Sequence, residues 1–127
     1  METTITVPQY KRGKPQFSKL TSVTLTAIEA YYLPIIQKAT GAPSTASALR
    51  LLLNTEYDAV KSGARHGSDF ILSDEPKTKT FTFKLSETEY FRLHELMSFY
   101  DAPTQSAVVS HLIECMIKTL DTKEGGE

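Results

Sequence analysis

The sequence registers on itself at an offset of sixty residues without a gap. Leu25, Glu29, Leu33, Ala42, Pro43 and Leu52 meet Leu85, Glu89, Leu93, Ala102, Pro103 and Leu112. Such identities weigh less than the structural signals that recur at the same offset. A length of 127 residues suits one domain or two very small ones. A lone unit of about 45 residues buries too little surface to be comfortably stable. Two units sharing one core is the arrangement that follows.

Each unit opens on alternation. Phe81, Phe83 and Leu85 alternate with Thr80, Thr82 and Lys84, and Thr21, Val23 and Leu25 alternate with Leu20, Ser22 and Thr24. Period two with aromatic and β-branched residues reads as a half-buried strand. Thr21 makes the first strand the more polar one. A helix start follows each strand at once. Thr26-Ala27-Ile28-Glu29 and Ser86-Glu87-Thr88-Glu89 both have the form of a capping box, in which the hydroxyl and the glutamate each satisfy a backbone N–H.

Behind the second box, Tyr90, Leu93, Leu96, Met97 and Tyr100 keep helical spacing. Behind the first, Leu33, Ile36 and Thr40 do so around Pro34. Proline inside a helix removes a hydrogen bond at a cost of roughly 3 kcal/mol, so a kink or a late helix start is expected there. After Ala42-Pro43 and Ala102-Pro103, Ser44 and Thr104 can cap second helices. Ala48, Leu49, Leu52, Leu53, Tyr57 and Val60 form one apolar stripe; Val108, Val109, Leu112, Ile113, Met116, Ile117 and Leu120 form the other.

These signals divide the chain into a basic arm (1–18), a first unit (19–62), a linker (63–78), a second unit (79–121) and a frayed tail (122–127). The linker has the composition of a loop, and Phe70, Ile71 and Leu72 are expected to tether it to the body.

Composition narrows the classes. Hydrophobic residues at 40% and charged residues at 23% are ordinary for a soluble globular chain. No apolar run reaches membrane-spanning length, and the polar N-terminus lacks the apolar centre of a secretory signal. Cys115 has no second cysteine to pair with, so a reducing, cytoplasmic setting is expected. The net charge of −1 argues against nonspecific polyanion binding by the whole chain. Residues 1–64, however, hold seven Lys/Arg against four Asp/Glu (+3), while residues 65–127 hold seven against eleven (−4).

Strand, capped helix, tight turn and second amphipathic helix, in this order and spacing, resemble the ribbon-helix-helix family over about residues 19–62 and 79–121. Gly41 supplies the family's turn glycine in the first unit, and Asp101 stands there in the second. The resemblance implies an α+β, mostly helical fold: two ribbon-helix-helix units in one chain, their strands pairing as an antiparallel ribbon on a four-helix core. It also implies sequence-specific binding of double-stranded DNA, as a transcriptional repressor or a plasmid or phage regulatory factor. The ribbon would enter the major groove and offer Ser22, Thr24, Thr82 and Lys84 to base edges. Phosphates would be held at the starts of the second helices, by Ser44, Thr45, Thr104 and Gln105, and by Lys11, Arg12 and Lys14 of the arm. One chain supplies one ribbon, so a long operator needs copies side by side.

Other candidates are weaker. His111 and Cys115, one turn apart, are half a metal site at best; they read as an exposed histidine beside a semi-buried thiol. The sequence holds no phosphate-cradling glycine loop, H-E-x-x-H or G-x-S-x-G, and neither catalysis nor a cofactor is expected. The alternatives are a protein-binding module, such as an antitoxin or adaptor, that keeps the fold without DNA, and an all-helical protein in which residues 20–25 and 80–85 never pair.

Overall fold

The computed structural model describes residues 7–10 and 19–125, the last four as backbone only. Its elements run β1 (Lys19–Thr26), α1 (Ala27–Thr40), α2 (Thr45–Lys61), a 3-10 turn (Gly67–Asp69), β2 (Lys77–Leu85), α3 (Glu87–Tyr100) and α4 (Gln105–Gly125). The chain is α+β and mostly helical, with one two-stranded antiparallel sheet. The all-helical alternative is thereby excluded.

Register is the informative feature. Leu20 faces Lys84, Ser22 faces Thr82 and Thr24 faces Thr80, with a bulge between Leu25 and Thr26. Ser22 and Thr82, sixty apart in sequence, sit directly opposite one another. An approximate two-fold axis of the ribbon therefore passes between them. Thr21, Val23 and Leu25 of β1 and Phe81, Phe83 and Leu85 of β2 occupy the inner face, with only Phe81 less than fully buried. Thr21 is 2% exposed and its hydroxyl has no hydrogen-bond partner among the described residues, which is the physical cost of a polar residue in that inward position.

Both capping boxes form. Thr26 Oγ1 accepts from Glu29 N at 3.1 Å while Glu29 Oε1 accepts from Thr26 N at 3.0 Å. Ser86 and Glu89 repeat the pattern at 3.1 and 3.0 Å. α1 begins at its box and continues through Pro34, so of the two expected outcomes, a kink or a late start, the late start is not what the chain does. Pro34 lies on the exposed side, between buried Leu33 and Ile36, where water can satisfy the carbonyl it leaves unpaired.

The two αβ halves interlock. β1 lies against α4 and β2 against α2, while α1 packs on α2 and α4 and α3 packs on the same two helices. One apolar cluster draws on all six elements, including Val23, Leu25, Ile36, Leu49, Leu85, Leu96 and Ile113. Residues before and after the connection contribute to the same cluster, so neither part of the chain closes a core by itself.

The connection is shorter than its composition indicates, because β2 begins at Lys77; α4 likewise continues beyond Asp121 to Gly125. Phe70 packs on Tyr100 and His111, with ring centroids 5.2 and 5.0 Å away. Ile71 donates its N–H to His111 Nδ1 at 3.0 Å. Leu72 is 59% exposed and does not tether the crossing.

The two helix–helix turns use the same left-handed cap on different residues. Gly41 (φ 73°) donates its N–H to the carbonyls of Gln37 and Lys38, and Asp101 (φ 54°) to those of Met97 and Ser98. A non-glycine residue there is strained, so Asp101→Gly should stabilise the fold by about 0.5–1 kcal/mol. Thermal unfolding checks this, and a lowered midpoint would contradict it.

Candidate nucleic-acid interface

The outward face of the ribbon consists of three facing pairs: Leu20 with Lys84, Ser22 with Thr82, and Thr24 with Thr80. Ser22, Thr80, Thr82 and Lys84 are exposed, Thr24 is half-buried, and Leu20 is 69% exposed. At the centre Ser22 Oγ and Thr82 Oγ1 share a hydrogen bond of 3.0 Å. That leaves the pair one free hydroxyl hydrogen and several lone pairs, so it can both donate and accept. Thus the four residues expected on this face from the sequence do lie on it.

Charge on the ribbon is of one sign. The two strands carry Lys19, Lys77, Lys79 and Lys84 and no acidic residue. Lys19 and Lys84 lie toward one end, Lys77 and Lys79 toward the other. Lys79 and Lys84 are exposed, whereas Lys77 Nζ donates to Ser110 Oγ and Lys19 Nζ stands 5.8 Å over the Tyr90 ring.

The second helices start beside the ribbon's two edges. Ser106 Oγ, in the first turn of α4, accepts from Thr24 N at 2.8 Å. On the other edge Arg50 Nη1 of α2 donates to the Lys84 carbonyl at 2.9 Å, and its Nη2 donates to Ser47 Oγ at 3.2 Å. Burial lowers the Arg50 pKa, against the charges of Glu89 and Tyr10. Both contacts satisfy edge groups that would otherwise be open to another strand, and they hold the helix starts against the strands.

Ser44 and Thr104 are the N-caps, accepting from Ser47 N at 3.1 Å and Ala107 N at 3.0 Å. The side chains of this set are less available than their positions imply. The Ser44 hydroxyl donates to Ser47 Oγ, Thr45 Oγ1 donates to Gln37 Oε1, and Gln105 Oε1 is buried without a partner among the described residues. An anion at either helix start would meet backbone N–H groups of the first turn instead. Lys11, Arg12 and Lys14 lie outside the described residues. Just before them, Tyr10 N donates to Thr40 O at 2.9 Å and Gln9 Nε2 to Ala39 O at 3.0 Å. Residues 9 and 10 therefore lie against the end of α1.

Lys79, Arg50 and Ser106 are absent from the sequence-derived set. Lys79 falls in the inward phase of its strand yet is exposed, opposite Leu25 beside the bulge. Arg50 and Ser106 act across elements, which no local pattern signals.

The other polar cluster is internal. Glu56 Oε2 accepts from the Tyr100 hydroxyl and faces His111 Nε2 at 3.2 Å, and Glu56 Oε1 accepts from Arg65 Nε at 3.1 Å. Because His111 Nδ1 accepts from Ile71 N, its proton sits on Nε2 and is donated to Glu56. The expected exposed histidine is thus 1% exposed, held between α2 and the connection. Cys115 Sγ is 3.7 Å from that ring, and burial first, then the Glu56 charge, pushes its thiol up to about 11. Among the described residues no group of three metal-ligating side chains comes together. This network closes the connection onto the helices. No family model, curated protein or solved structure significantly matches the chain.

Proposed function

We propose that this chain is a sequence-specific double-stranded DNA-binding protein of the ribbon-helix-helix kind, with two units fused over a shared four-helix core. Its role would be that of a transcriptional repressor or a plasmid or phage regulatory factor. One observation carries the reading: a ribbon centred on a hydroxyl pair, bearing lysines and no acid, with a helix start at each edge. A two-stranded ribbon fits the major groove, where hydroxyls donate or accept and lysine donates to guanine O6 and N7. Leu20 can meet a thymine methyl group there. Phosphates on either side would meet the starts of α2 and α4. One end of the ribbon offers Leu20 and Lys84 and the other Thr24 and Thr80, so the site read is an imperfect palindrome.

A mobility shift on the gene's own upstream DNA at two salt concentrations tests this. Affinity should fall steeply with salt, and Lys84→Ala should weaken binding by about 1–3 kcal/mol if Lys84 reads a base. Absence of binding at low salt would overturn the reading, and unchanged affinity in the variant would remove Lys84 from the site. A second reading, a protein-binding module, is favoured by exposed apolar residues away from the ribbon. Ile28, Tyr31 and Ile35 line the outside of α1. Phe91 and Phe99 of α3 border a cleft of about 520 Å³ shared with Tyr57 and Val60 of α2.

A further inference from the structure

Glu29 is 0% exposed between α1, α4 and the bulged end of the ribbon. Its Oε1 accepts from Thr26 N at 3.0 Å and from Ser110 Oγ at 2.8 Å. Its Oε2 is equally buried and receives no amide, hydroxyl or cationic donor among the described residues. The carboxyl of Glu114, one turn beyond Ser110 on α4, shares a side-chain hydrogen bond with the Glu29 carboxylate.

The other half of the molecule shows what this position requires. Glu89, the capping glutamate of α3, receives its second donor from Asn54 Nδ2 at 2.9 Å. Asn54 stands sixty residues before Glu114. An amide nitrogen is always a donor, whereas a carboxyl group is one only while protonated. We propose that Glu114 carries its proton in the folded protein under mildly acidic conditions, up to the edge of neutrality, and donates it to Glu29, making the α1–α4 contact a proton-dependent latch.

The charged groups facing the pair are Lys77 from β2 and Lys118 from α4. Lys77 donates to Ser110, whose hydroxyl then donates to Glu29, so the proton on Glu114 completes a chain of donors. Burial, then the hydrogen bond to Glu29 and its charge, push Glu114 up to about 7. On Glu29 burial pushes upward, but the bonds from Glu114, Thr26 and Ser110 and the charge of Lys77 leave its pKa lowered. A raised folded-state pKa means the associated stability is complete below the ordinary carboxylate range and is lost as pH rises through about 7. Loss of the proton sets two carboxylates against each other beneath the α1 cap and the start of β2, so that end of the molecule loosens under alkaline conditions.

The test is independent of DNA binding, since it is made on the free protein. The side-chain carboxyl ¹³C resonance of Glu114 should titrate near neutrality. The thermal midpoint of the parent should fall by about 5 °C or more between about pH 6 and pH 8.5. Glu114→Gln, which supplies a permanent donor, should remove most of that slope and unfold at the higher temperature on the alkaline side. Comparison of the two proteins cancels the three histidines, which both contain. An ordinary carboxylate titration for Glu114, or the same pH slope in Glu114→Gln, overturns the proposal. If the variant does not fold, the resonance of the parent decides alone.

Discussion

Glu56→Ala is expected to lower the stability of the fold by about 3–5 kcal/mol, read as a large fall in the urea midpoint. Glu56 is 6% exposed, and its carboxylate is the common acceptor for Tyr100, His111 and Arg65. Removing it leaves a buried phenol and a buried imidazole N–H without acceptors and a guanidinium without its counter-charge. It also frees the connection, since Arg65 and Ile71 are held through this network. Arg65→Ala is the control: its side chain is 38% exposed, so about 1 kcal/mol or less is expected.

Acidification supplies an independent readout. Burial pushes the Glu56 carboxyl upward, but hydrogen bonds from His111 and Tyr100 and then the Arg65 charge prevail and bring it down to about 2. A depressed folded-state pKa contributes stability above the ordinary carboxylate range that is lost as pH falls toward about 2. The parent should therefore weaken more between about pH 5 and pH 3 than Glu56→Ala does. A loss under about 1 kcal/mol at neutral pH would show that the network is incidental to stability.

Thr82→Glu should abolish DNA binding at moderate salt, a loss of at least about 100-fold or about 2.7 kcal/mol, without disturbing the fold. Thr82 is exposed at the centre of the ribbon, opposite Ser22, where a longer side chain meets no core atom. In the proposed complex that carboxylate would face base edges between two phosphate backbones. Ser98→Glu adds the same charge at an exposed position near the far end of α3 and should change affinity little. Equal affinity for the parent and Thr82→Glu at low salt would remove the ribbon from the interface, and with it the DNA reading.

Signals spanning a few residues were legible in the sequence. The capping boxes at Thr26 and Ser86, the caps at Ser44 and Thr104 and the inward phase of Val23 and Phe83 each depend on neighbours within one helical turn or two strand positions. The outer face followed from the same phase, which is why Ser22, Thr24, Thr82 and Lys84 stand on it. His111 shows where that reasoning stops. Its burial depends on Glu56 and Ile71, at separations of 55 and 40 residues, and no pattern around His111 encodes either.

By itself, then, the sequence determined which stretches are strand and which are helix, and which residues cap the helices. Those are short-range matters of hydrogen-bond periodicity and capping. Tertiary structure alone decided that Ser22 meets Thr82, that Arg50 and Ser106 close the ribbon's edges, and that Asn54 and Glu114 serve equivalent glutamates with different chemistry. Each of these depends on which surfaces the packed helices bring together. A donor or a charge acquires its role only when burial removes water as the competing partner.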